Sequence, residues 1–211
     1  MMRRLCSCLL AIALVPVLAS CGEGRNADLN IEELPSVTPS LPSVPTLPPP
    51  PYPVTYPDQS YSVYGLRRRE TTTMDTDVNV TAYIARVYVP EECPEGHTCP
   101  PPAAPHMWLA DARGETDETH LLMVVGYAEN QAAIDEARDS EAHGHAQPTE
   151  EESGLTPIPT DFYPGAKVHI VGHFARISSS GFNVSEGLLE YRSHTTIEPG
   201  EIPDAGPARR R

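Results

Sequence analysis

The chain has 211 residues, with 29 acidic against 15 basic side chains and a formal net charge of −14. Such a balance, with Lys167 as the single lysine, excludes the counterion-releasing basic surface that a nucleic-acid binder needs. Twenty-four prolines and an uneven distribution of apolar residues further divide the chain into segments that can and cannot build a core.

Residues 1–20 read as a secretory signal: Arg3 and Arg4 form a positive start, followed by an apolar run too short to span a bilayer. The run ends in Leu18, Ala19, Ser20 and Cys21, which resembles the lipobox of bacterial lipoproteins. That resemblance implies cleavage before Cys21, diacylglycerol on its sulfur, and residence in the cell envelope of a Gram-negative bacterium. Gly22 in place of an aspartate implies sorting to the outer membrane. Acyl chains contribute about 0.8 kcal/mol per buried CH₂, so more than one chain gives a durable anchor.

Residues 21–57 then form the lipid attachment and a linker. From Leu34 to Pro57 the sequence repeats Pro with Ser, Val, Thr and Leu, cannot build a core, and favours polyproline II. Fully extended at about 3.1 Å per residue, it reaches roughly 70 Å.

Residues 58–200 are long enough for one core, and 201–211 read as a disordered tail. "SYSVYGLRR" is expected to add an N-terminal strand, and the run Arg67, Arg68, Arg69 to be a solvated face. Val78, Val80, Ala82 and Ile84 alternate with polar residues as in a half-buried strand. Val87 and Val89 continue on the opposite parity, so a bulge is expected near Ala85 and Arg86.

Cys93 and Cys99 follow. With Cys6 and Cys8 lost with the signal and Cys21 acylated, these two remain in an oxidising compartment and are expected to form a disulfide. "HMWLAD" and "HLLMVVGY" read as a hairpin. Asn130 to His143 reads as a helix capped by Asn130, stopped by Gly144, with Ala133, Ile134 and Ala137 as its contacts. "VHIVGHFARI" is a strand in which Gly172 marks a kink or close approach, and Gly187 to Ile197 is the last strand, of ragged alternation.

Strand, hairpin, helix, strand, strand, with "GAKVHIVGHF" and "GLLEY", resembles the OB-fold of bacterial domains across about residues 75–197. The resemblance implies an all-β, five-stranded Greek-key barrel with one short helix, binding on the face of its second and third strands. Trp108, the single tryptophan, lies in the second strand with parity opposite to Met107 and Leu109. It is either an outer stacking platform, joined by Tyr83, Tyr88 and Arg86, or a core residue with Met107 outside.

No pattern calls for a cofactor or a metal. His169 and His173 share a strand face but stand about 13 Å apart along it, and His143 with His145 lacks a third ligand at set spacing. The expected activity is therefore non-enzymatic: a tethered module binding an envelope protein or a saccharide, and no nucleic acid. Two alternatives stand beside it: an OB-type hydrolase or nuclease using Asp75, Asp77 and Arg86, and a purely structural envelope protein.

Overall fold

Alternate burial builds the first strand, β1 (Thr76–Val87), whose Val78, Val80, Ala82 and Ile84 are all buried. Its pairing with β2 (His106–Ala110) slips between Ile84 and Arg86: Ile84 faces Leu109, whereas Arg86 faces Trp108. Ala85 is the extra residue, so Ile84 and Val87, three apart, face Leu109 and Met107, which are two apart and fully buried. The parity change legible in the sequence is this bulge.

The computed structural model describes Ser40 and residues 47–201. The proposed signal (1–20), Cys21, most of the linker and residues 202–211 lie outside the described residues. The chain divides after Leu47, and every described helix and strand lies in the unit from Pro48 onward.

β2 turns through a short 3₁₀ segment (Glu118–His120) into the antiparallel β3 (Leu122–Val125). A helix (Gln131–Ala142) follows, started by the Asn130 side chain, which accepts from Ala133 N at 2.9 Å, and buried through Ile134 and Ala137. Gly144 ends it with φ 75°. A second, four-residue helix (Glu150–Ser153) is started by a reciprocal Thr149–Glu152 cap.

β4 (Lys167–Ile177) and β5 (Asn183–Glu198) form the longest antiparallel pair. Gly172 is where their backbones meet: a Cβ there would lie 2.5 Å from the Glu190 carbonyl oxygen and 2.7 Å from Leu189 Cγ. The register slips at the same point, between Val171 and Gly172. The ragged alternation of the last strand has a counterpart in Leu188 and Leu189, consecutive and both fully buried.

The strands close in the order β1-β2-β3-β5-β4, with β4 pairing back onto β1. β3 and β5 run parallel where they meet, Val124 beside Leu189 and Val125 beside Glu190. Leu109, Leu122, Val124, Ile170, Phe174 and Leu189 are fully buried within the enclosed core.

The all-β, OB-fold-like Greek-key expectation with one short helix is corrected on these findings. The sheet is mixed, because the β3–β5 seam is parallel, and the described residues hold four α-helices. One of them replaces the N-terminal strand expected from "SYSVYGLRR", and a second follows it directly. Tyr61 makes an isolated bridge to Val80, and the chain then enters α1 (Val63–Arg68) and α2 (Glu70–Thr73), so the two later helices are α3 and α4.

The reason lies in the start of α1. Ser62 Oγ accepts from Gly65 N at 2.8 Å, and the Asp111 carboxylate accepts from Val63 N and Tyr64 N at 2.7 Å each. Three backbone donors that a helix start leaves unpaired are thereby satisfied, while Val63 and Leu66 bury on one side. Alternation of Tyr, Val and Ser mimics a strand locally, but the decisive partner, Asp111, comes from the end of β2.

Candidate ligand-binding face

The bulge at Ala85 sets the outer face of the β1–β2 pair. Met107 and Leu109 turn inward, so Trp108 lies outside and half-buried, opposite Arg86. The Arg86 guanidinium carbon stands 4.0 Å from the centroid of the Trp108 ring, a cation held against an aromatic face.

Beside this pair, His106 is enclosed by aromatic rings. It stacks on Tyr88 with centroids 4.5 Å apart, meets Trp108 edge-on at 4.6 Å, and lies 4.9 Å from Phe182 of the β4–β5 turn. Burial lowers its pKa, the hydrogen bond to Ala104 opposes this, and the charge of Arg86 adds to the lowering. The ring is therefore neutral at neutral pH; with Nδ1–H donating to the Ala104 carbonyl at 2.8 Å, it holds the cluster without bringing charge.

A groove of about 310 Å³ runs from Trp108 toward the start of β5. Trp108, Leu121, Met123 and Val184 supply its apolar surface, and an ion pair sits at each of two places on its lining. Arg86 Nη2 donates to Glu118 Oε1 at 3.1 Å, and Arg67 Nη1 donates to Glu186. Arg67 Nη2 also donates to the Leu121 carbonyl, which ties α1 to the start of β3. Donors and acceptors thus flank an aromatic and aliphatic surface.

Cys93 and Cys99 form a disulfide in the long β1–β2 connection, and both are exposed. The return of that connection is fixed near the aromatic cluster, where Ala103 N donates to Tyr88 Oη at 3.3 Å.

Arg86, Tyr88 and Trp108 are brought together as the sequence suggested, and Tyr83 is not. Its ring instead takes two cations, Arg113 at 5.4 Å and Lys167 at 5.3 Å, opposite Ala110. Asp77 and Arg86 are also kept apart, since nine residues of strand span roughly 30 Å. Asp77 accepts from His173 and Arg192, each at 3.1 Å, so Asp75, Asp77 and Arg86 do not converge on one ion.

His169 turns to Thr81 and Asp58, with Nδ1 3.0 Å from Thr81 Oγ1 and 3.7 Å from Asp58 Oδ2, whereas His173 pairs with Asp77. His143 and His145 lie exposed beyond the end of α3. Among the described residues no three His, Cys, Asp or Glu side chains are placed to hold a metal, and no helix is long and apolar enough to cross a membrane.

Sequence reading missed Arg67, which sits in the groove with its side chain 20% exposed while Arg68 and Arg69 are solvated. It also missed Glu186, Met123 and Val184, which carry no local signal of their own. A third omission is a polar chain on β5. Tyr191 Oη lies 2.9 Å from His194 Nδ1, His194 Nε2 lies 2.8 Å from Asp161 Oδ1, and Thr196 donates to the other Asp161 oxygen.

With Nε2–H donating to Asp161, the Tyr191 hydroxyl donates to Nδ1. Burial pushes the Tyr191 phenol up to about 12, with the Asp161 charge adding to it. Burial also opposes the Asp161 carboxylate, but the hydrogen bonds from His194 and Thr196 outweigh it and the pKa is lowered. This chain fastens the segment before β4 to β5.

No family model and no curated protein matches this chain.

Proposed function

We propose that the chain is a non-enzymatic cell-envelope module, anchored through acylated Cys21, whose groove at Trp108 binds a saccharide. The observation that carries this reading is the combination of surfaces in the groove. A sugar ring presents an apolar C–H face and a rim of hydroxyls, and the groove offers an indole with aliphatic neighbours between two Arg–Glu pairs.

The lipobox-like Leu18–Cys21 and the proline-rich stretch after it support the anchor and the reach. Together they would present the groove to envelope polymers at a distance from the outer membrane.

The test uses the full chain in detergent. Peptidoglycan fragments and neutral oligosaccharides are titrated while melting temperature and Trp108 fluorescence are followed. A saccharide of the panel is expected to raise the melting temperature of the parent and not of Trp108→Ala. No response across the panel, or an equal response in the variant, overturns the reading in favour of a structural envelope protein. Intact mass of the membrane-extracted chain checks the anchor, and an N-terminus other than acylated Cys21 would refute it.

A further inference from the structure

Arg67, Arg86, Arg113, Arg176 and Arg192 each hold a carboxylate. Arg68 and Arg69 hold none but are solvated; Arg138 on α3 is half-buried and also holds none among the described residues, in a chain whose acids outnumber its bases 29 to 15. Its Nη2 reaches the Phe162 carbonyl at 3.5 Å, its guanidinium carbon lies 5.2 Å from the Tyr163 ring centroid, and its Nε is buried without a partner.

Tyr127, just after β3, repeats the anomaly. The residue is 5% exposed, and its hydroxyl likewise has no hydrogen-bond partner among the described residues. Burial raises the phenol's pKa against the opposing charge of Arg138, so the group is a standing O–H donor. A buried donor without an acceptor is costly, and folded proteins rarely leave two together.

Both side chains line one slot of about 170 Å³ between the end of β1, α3 and the segment before β4. Val87, Ile134, Pro159 and Phe162 make its remaining walls largely apolar. We propose that this slot binds a small carboxylate with an aromatic or branched aliphatic body, the carboxylate accepting from Arg138 and Tyr127 and the body filling the apolar walls. A carboxylate has two oxygens with room for several donors and meets the arginine charge. A neutral amide meets the donors but leaves the charge, and a cation opposes it.

The site is separate from the saccharide groove and does not use Trp108. Benzoate, phenylacetate and isovalerate are the probes for the full chain in detergent, with benzamide and benzyl alcohol as uncharged isosteres. At least one carboxylate is expected to raise the melting temperature where its isostere does not. Arg138→Gln is expected to weaken that binding by about tenfold or more.

Tyr127→Phe separates ligation from architecture. It removes the unpaired hydroxyl, so the ligand-free chain keeps or gains thermal stability while carboxylate affinity falls several-fold. Trp108→Ala leaves carboxylate binding intact, so this proposal and the saccharide reading fail independently. Equal responses to carboxylates and isosteres, no response to any probe, or affinity unchanged in both Arg138→Gln and Tyr127→Phe would overturn the proposal and assign the two donors to a trapped water.

Discussion

Arg86 lies across the indole of Trp108, 4.0 Å from its centroid, while its Nη2 holds Glu118 at 3.1 Å. The pair exists because Ala85 is bulged out of register, which turns Arg86 to the same face as Trp108. Arg86→Ala is expected to leave Trp108 more exposed and shift its emission to the red, at a stability cost of about 0.5–1 kcal/mol for a partly exposed cation–aromatic contact. Emission and urea melts check both. With one tryptophan in the chain, the signal belongs to this face alone.

Asp111 joins α1 to the end of β2 by accepting from Val63 N and Tyr64 N. Asp111→Ala removes a charged acceptor from two helix-start donors and is expected to cost about 2–3 kcal/mol. Burial raises the Asp111 pKa, against the lowering by its backbone hydrogen bonds. The folded state therefore holds its proton more tightly than the unfolded state. As pH rises from the ordinary Asp value through the raised one, this residue contributes falling stability. Asp111→Asn should flatten that part of the profile in chemical denaturation.

Asp161 has the opposite slope. Its pKa is lowered in the fold, so its contribution is full above the ordinary Asp range and is lost as pH falls through the folded value. Denaturation between neutral and strongly acidic pH should show Asp161→Asn losing less stability than the parent over that interval. An unchanged profile would mean that the His194 and Thr196 bonds do not favour the ionised form.

The Cys93–Cys99 bridge closes a short loop, so the chain-entropy model assigns it about 2 kcal/mol. Thiol titration of the unreduced chain should find neither of these cysteines reactive. Cys93→Ser with Cys99→Ser should lower stability by about that amount while leaving the core packed.

The features legible in the sequence were those encoded by near neighbours. The change of apolar parity after Ile84 announced the bulge, Asn130 and Gly144 bracketed α3, and Gly172 marked the close approach to β5. Parity could not decide the facing of Trp108, because Met107, Trp108 and Leu109 are all apolar; only the assembled ring buries the first and third. The helix α1 was hidden because its cap comes from Asp111, in another element. Arg67 looked solvated for the same reason: Glu186 and Leu121, which hold it, are distant in sequence. The parallel meeting of β3 with β5 leaves no mark in either strand.

That meeting has a kinetic consequence. Two residue pairs close the ring at β3 and β5, against ten along β4 and β5 from Lys167 to Ile177, and neither partner can find the other through a local turn. Amide protons at this seam should exchange before those of the β4–β5 pair, since few hydrogen bonds need to break for it to part. Met123 and Gly187, both on the groove, flank the same junction. A ligand seated there would bridge the gap, and its occupancy would be recorded as slowed exchange at Val124 and Leu189.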